Sequence, residues 1–126
     1  MEHPIVHKIL KEGINSVNLS MLDEKARKNI LTDVGERLYK QGKIIDAIDM
    51  LAKSGDNERL AKLGSIFLSE MKIEWATLCF IAVKDKEKLN GLAVSCIERK
   101  NYQLAAKAYE AADNQQMANF IRQNFC

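Results

Sequence analysis

The sequence predicts an all-α solenoid of about three helical hairpins, from an internal repeat and a helix-favouring composition. Three segments superimpose at a spacing of 29 residues. Each begins with a small residue, which is followed by a large residue three positions later. A second small residue comes twelve positions after the first small residue, and a second large residue comes sixteen positions after it. The aligned residues are Gly35, Leu38, Ala47 and Leu51; Gly64, Phe67, Ala76 and Phe80; and Ala93, Cys96, Ala105 and Tyr109. A period of roughly 20–50 residues is typical of stacked supersecondary units.

The composition agrees with a helical protein and limits its function. The 126 residues include one proline and six glycines, so β-turns are disfavoured, and the length predicts a single domain over 1–126. The longest runs without a charge, such as 75–83, are too short to span a bilayer, and residues 1–4 lack the pattern of a secretory signal. We therefore expect a cytoplasmic protein without membrane insertion.

The charges are balanced and dispersed along the chain. The net charge of +2 is the difference between 19 basic and 17 acidic residues. Proteins that bind nucleic acid usually carry a clustered basic face, and none is visible here, so no nucleic-acid partner is expected.

The three cysteines do not have the spacing of a metal or redox site. Cys79, Cys96 and Cys126 are separated by 17 and 30 residues, which fits no Cys-x-x-Cys pattern. We predict that Cys79 and Cys96 are buried small hydrophobes and that Cys126 is exposed.

The helices are predicted in order from their start and stop signals. Pro4 suits a first helical turn and Gly13 a helix end, which predicts a helix from Pro4 to about Glu12. Ser20, followed by Asp23, resembles an N-cap, and Gly42 is a stop signal. A long helix is therefore expected from about Met21 to Gln41.

The later helices alternate with polar turns, such as the turn at 54–57 that caps the next helix. The predicted ranges are 44–53, 58–71, 73–83, 87–99 and 102–112, with a capping helix at 115–124. In the capping helix, Met117, Phe120 and Ile121 are expected to face the preceding helices.

The order of small and large residues resembles the tetratricopeptide repeat over about residues 28–118. The period is 29 and not 34, and the family's tryptophan and closing proline are missing. Short hairpins without proline, as at 42–51, look more like the helical repeats of clathrin, coatomer and intraflagellar-transport subunits. This wider superfamily implies a right-handed α-solenoid with an N-terminal extension at 1–27, repeats at 28–114 and a capping helix at 115–126. It also implies protein–protein interaction and no substrate.

The resemblance places a binding groove on the first helix of each hairpin. The matching positions are Asn29, Thr32, Glu36, Tyr39 and Lys40; Glu58, Ala61, Ser65, Leu68 and Ser69; and Glu87, Asn90, Val94, Ile97 and Glu98. The predicted partner-binding residues among them are Asn29, Glu36, Tyr39, Lys40, Leu68, Asn90 and Ile97.

An apolar row within this set, Tyr39, Leu68 and Ile97, has a spacing of 29 residues. Such a row would accept an amphipathic helix or an extended peptide. The alternative is burial of the same residues by neighbouring hairpins. We expect Leu68 and Ile97 to lie in the core. For Tyr39, groove and core are equally favoured, because its hydroxyl group favours a position in contact with water.

Candidate catalytic or metal-binding residues have simpler interpretations. His3 and His7 are four apart, but no third ligand is nearby, so surface histidines are favoured. Asp46 and Asp49 indicate a solvated helix face. Trp75 precedes a packing residue and is predicted to be structural. We expect no catalytic residues, no metal, no cofactor and no enzymatic activity.

These observations predict a non-enzymatic adaptor or scaffold that binds a peptide or helix of a partner protein on the solenoid face. One alternative is a homodimer or larger homo-oligomer that buries an apolar flank of the repeat stack. A less favoured alternative is a helical-repeat protein that binds nucleic acid, which would show strongly salt-dependent binding.

Overall fold

The computed structural model describes residues 4–126 and is all-helical over that range, with no strand. This confirms the predicted all-α class. The helices are α1 (Pro4–Glu12), α2 (Glu24–Lys40), α3 (Ile44–Ser54), α4 (Asn57–Ser69), α5 (Ile73–Val83), α6 (Lys86–Glu98), α7 (Tyr102–Ala111) and α8 (Gln115–Phe125), with a short 3₁₀ helix (Ile14–Ser16) after α1.

The chain divides into two compact units, of which the first ends at Asn57 and the second begins at Glu58. In the first unit, α2 packs against both α1 and α3. In the second unit, α5 packs against α6 and α7, and α7 also packs against α6 and α8. The single domain predicted for 1–126 stays a prediction.

The start of α2 differs from the sequence-based expectation. Asp23 is the N-cap, because its carboxylate accepts a hydrogen bond from the Ala26 N–H at 2.7 Å. Ser20 was predicted to cap this helix, but its hydroxyl donates to Asn18 Oδ1 at 2.6 Å. The helix therefore begins at Glu24 and not at Met21. Ser20 and Asp23 both have side chains that can cap a helix. The hydrogen bond to Asn18 occupies the Ser20 hydroxyl, so Asp23 caps α2.

The turns between helices repeat one backbone conformation. Apart from Gly13, the described residues with positive φ fall into two series, each spaced by 29 residues. The series are Gly42, Met71 and Lys100, and Gly55, Lys84 and Asp113. A left-handed residue after a helix allows the following N–H groups to bond the last carbonyls.

The three turns of the first series contain the same backbone hydrogen bond. The backbone N–H that follows the left-handed residue donates to a carbonyl five residues earlier. These bonds are Lys43 to Leu38 at 3.0 Å, Lys72 to Phe67 at 2.8 Å and Asn101 to Cys96 at 2.8 Å. The helix ends of α2, α4 and α6 are therefore built alike.

The twelve positions aligned by the internal repeat are all buried. On α5, for example, Ala76 is completely buried and Phe80 is 1% exposed. The small residues permit close helix contact and the large ones fill the space beside it.

The last helix corrects one prediction. Ile121 is buried as expected and Met117 is half-buried, but Phe120 is 51% exposed. Ala118 and Ile121 occupy the packed side of α8, and Phe120 lies beyond the edge of that side. Its ring contacts Phe125 instead.

Candidate protein-interaction surfaces

The fifteen groove positions predicted from the resemblance are all exposed or half-buried, in contrast to the twelve buried packing positions. Of the seven predicted partner-binding residues, four are exposed: Asn29, Tyr39, Lys40 and Asn90. Three are half-buried: Glu36, Leu68 and Ile97. Their role in binding a partner stays a prediction.

In the first unit, the end of α2 borders a shallow basic depression. Tyr39 is 38% exposed, and the neighbouring Lys40 lines a depression of about 490 Å³. The lining residues are His7, Leu10, Lys11, Arg37, Lys40 and Gln41. The Arg37 Nε donates to Asp33 Oδ1 at 3.0 Å, so part of the positive charge is balanced locally. His3, the predicted companion of His7, lies outside the described residues.

In the second unit, five of the predicted positions lie on one side of α6. We call Glu87, Asn90, Val94, Ile97 and Glu98 the α6 stripe. Spacings of three or four residues keep the first four on one helix face, and Glu98, eleven residues or about three turns after Glu87, returns to that face. Val94 is 47% exposed, Ile97 is half-buried, and both glutamates are exposed. The stripe has an apolar centre with a carboxylate at each end.

The basic residues adjacent to this stripe pair with other carboxylates. Lys88 Nζ lies 3.6 Å from Asp85 Oδ2, and Lys86 Nζ pairs with Asp113. The hydrogen bond from Lys86 lowers the pKa of the Asp113 carboxyl. These pairings leave the α6 stripe with an acidic character at its N-terminal end.

At the other end of α6, Arg99 Nε donates to Glu74 Oε2 at 2.9 Å. This hydrogen bond from Arg99 lowers the pKa of the Glu74 carboxyl. The guanidinium next to Glu98 in sequence is thus directed to α5.

Asn90 has a structural role within the same stripe. Its Nδ2 donates to the Lys86 carbonyl at 3.1 Å, and its Oδ1 accepts a hydrogen bond from Asn114 Nδ2 at 3.5 Å. Asn114 is also the N-cap of α8. The Asn90 amide therefore joins α6 to the beginning of α8.

A second surface was missed by the sequence analysis. We call Tyr102, Phe120 and Phe125 the α8 aromatic patch. The Tyr102 and Phe125 rings are stacked with centroids 4.7 Å apart, and Phe120 meets Phe125 edge-on at 6.3 Å. Phe120 is 51% and Phe125 48% exposed. One signal was available in the sequence: Arg122 stands 29 residues after Ala93, where the other copies have a small residue.

Thr32, another of the fifteen positions, has a buried Oγ1 without a hydrogen-bond partner among the described residues. We expect Thr32→Val to raise the free energy of unfolding by about 1 kcal/mol, because valine has the same shape and no polar group to satisfy. Urea unfolding followed by circular dichroism measures this change.

Thr77→Val is the matched control for that substitution. Thr77 is completely buried, and its Oγ1 donates to the Ile73 carbonyl at 2.8 Å. Losing this bond should lower the free energy of unfolding by about 1 kcal/mol. Equal effects of the two substitutions would contradict the assignment of Thr32 as unsatisfied.

The cysteine predictions are confirmed. Cys79 and Cys96 are buried and Cys126 is exposed. Burial raises the pKa of Cys79 to about 12 and also raises the pKa of Cys96. Both buried thiols therefore stay protonated at neutral pH and are poor nucleophiles.

The described part of the chain contains neither a metal-ion cluster nor a helix that could span a membrane. Within residues 4–126, no cluster of three or more His, Cys, Asp or Glu side chains is arranged to hold a metal ion. None of the helices in that range combines the length and the apolar character needed to cross a bilayer.

Comparison with protein-family models, with curated proteins and with solved structures gives no match for this chain.

Proposed function

We propose that the protein is a non-enzymatic adaptor that binds a peptide or helical segment of a partner protein along the α6 stripe. We also propose that its helix pairs are tetratricopeptide-like repeats of a right-handed α-solenoid with a period of 29 residues. The 29-residue spacing of the left-handed turn residues supports the second proposal.

The observation that carries the adaptor function is the exposed apolar centre of the α6 stripe. Val94 is 47% exposed beside the half-buried Ile97. The two side chains are three positions apart and adjoin on the helix surface, and adjoining apolar side chains with a polar rim mark sites that bind another protein. The fifteen groove positions stay at the surface while the twelve packing positions are buried, which supports a division of the helices into a packing side and a binding side.

The charges of the stripe define the partner segment. Glu87 and Glu98 are separated by eleven residues, which is about 16 Å along a helix. The complementary segment has apolar side chains over Val94 and Ile97 and a Lys or Arg near each glutamate. An amphipathic helix of about three turns or an extended strand of about five residues has this length.

Substitution of Val94 tests the proposed site. Tagged protein is incubated with native lysate, with and without nuclease, and retained proteins are measured by mass spectrometry. We expect Val94→Asp to reduce capture of the partner at least tenfold, because a carboxylate in the apolar centre must be desolvated on binding.

Ile45→Asp is the matched control, since Ile45 on α3 is 62% exposed and lies outside the stripe. This variant should retain the partner as the wild type does. Equal capture by Val94→Asp and the wild type would contradict the α6 site. Loss of the partners after nuclease treatment would favour the nucleic-acid alternative.

A further inference from the structure

We propose that the α8 aromatic patch is the interface of a symmetric homodimer in which α8 of one copy packs against α8 of a second. This interface lies on a different helix from the α6 stripe, and it goes beyond the adaptor function. A dimer of this kind would display two partner-binding stripes at once.

The patch is already ordered before association. The ring of Phe125 stacks on Tyr102 and receives Phe120 edge-on, so the aromatic side chains hold each other in place. Aromatic side chains with few rotatable bonds lose little conformational entropy on binding. About half of each phenylalanine is exposed to solvent, and burial of this surface favours association.

A further helix cannot pack on α8 in the way that α5 packs on α4, because the small residue of the repeat is replaced on α8. Arg122 occupies the position of Gly64 and Ala93. At Gly64, even an added Cβ would lie 2.9 Å from the Phe80 ring. An arginine at this crossing position prevents a further helix from approaching α8 as closely, and Arg122 is held there by Glu110 of α7. The occupant of the patch must therefore lie on the Phe120 side of α8.

The rim of the patch favours a second copy of the same chain. Exposed amides form this rim: Gln116, Gln123 and Asn124 lie three or four positions from Phe120 on α8 and therefore flank its side chain. An amide both donates and accepts hydrogen bonds, so two identical rims can pair with each other. A two-fold axis brings identical surfaces together, which a rim of like charges would oppose.

The charge of α8 supports the same occupant. Arg122 is the only charged side chain in the sequence of α8, and it pairs with Glu110 within the same chain. A charged partner helix would find little complementary charge there, in contrast to the α6 stripe. The small size of the helix, about 16 Å long, indicates a weak dimer with a dissociation constant of about 10–100 µM.

Sedimentation of the full chain in reducing buffer, over protein concentrations from about 5 to about 500 µM, tests this proposal around the expected dissociation constant. We expect the mass to rise from the monomer value of 14.3 kDa toward twice that value. Phe120→Gln should weaken dimerisation at least tenfold. Ile66→Gln, which removes an aliphatic side chain of similar exposure on α4, should leave the dimer unchanged.

A second variant tests the symmetry of the interface. Gln123→Glu places a negative charge on the rim of each copy and should weaken the dimer several-fold, with recovery at high salt because screening reduces the repulsion. Circular dichroism should show unchanged helicity for each variant. A wild type that stays monomeric at every concentration would overturn the proposal. Equal weakening by Phe120→Gln and Ile66→Gln would also overturn it.

Discussion

Replacement of Phe80 by alanine is expected to lower the free energy of unfolding of the second unit by about 3–5 kcal/mol. Phe80 is 1% exposed and is among the largest fully buried side chains. Its ring lies next to Gly64 of α4, and Lys88 Nζ is 5.6 Å from the ring centroid. Truncation removes contacts with several helices and leaves a cavity that the surrounding helices cannot fill completely.

Trp75 provides the measurement for this prediction. It is the only tryptophan, it lies in the second unit, and its ring is 5.4 Å from that of Phe67. Its fluorescence during urea unfolding therefore reports on the unit that contains Phe80. Phe120→Ala is the control, because it removes the same atoms from a side chain that is half exposed, and it should cost less than about 1 kcal/mol. Similar losses at the two positions would contradict the assignment of Phe80 to the core.

The second large effect is expected at Gly64. A Cβ at this position would lie 2.9 Å from Cε2 of Phe80 and 3.1 Å from Cβ of Cys79. Because Phe80 is enclosed and the Cys79 Cβ is attached directly to the backbone of α5, the helices must move apart. We expect Gly64→Ala to lower the free energy of unfolding by about 1–3 kcal/mol.

Gly91→Ala separates this packing effect from helix propensity. Gly91 lies within α6, and an added Cβ there would meet no atom within 4 Å beyond the adjacent backbone of α6 itself. Alanine favours the helix at such a position, so Gly91→Ala should raise the free energy of unfolding by about 0.5–1 kcal/mol. Both variants are compared with the wild type by the same urea titration. A stabilising Gly64→Ala would show that α4 and α5 are not in close contact.

The sequence was sufficient to predict the helices and the packing positions, because the size of a residue at each repeat position reflects the space available between helices. Small residues such as Gly64 and Ala76 recur where helices approach closely, and large ones such as Phe80 recur beside them. The start of α2 was not predictable in this way. Ser20 and Asp23 both carry capping side chains, and the choice between them depends on the hydrogen bond from Ser20 to Asn18.

The candidate surfaces were harder to predict from the sequence, because they depend on ion pairs and ring contacts between side chains, several of them distant in the sequence. The lysines beside Glu87 are directed away from the α6 stripe by contacts with Asp85 and Asp113. On α8, Phe120 is expected from the sequence to face the preceding helices. In the structure its ring meets Phe125, which stacks on Tyr102, and about half of each phenylalanine is exposed.

The left-handed residues at the helix ends have a consequence for how the protein adapts to temperature. Gly42 and Gly55 adopt this conformation without steric cost, whereas Met71, Lys84 and Lys100 adopt it at a steric cost of roughly 1 kcal/mol each. These side chains belong neither to the twelve packing positions nor to the α6 stripe or the α8 aromatic patch. Heat tolerance can therefore rise or fall during evolution by exchange between glycine and other residues at these turns, while the α6 stripe and the α8 aromatic patch keep their side chains.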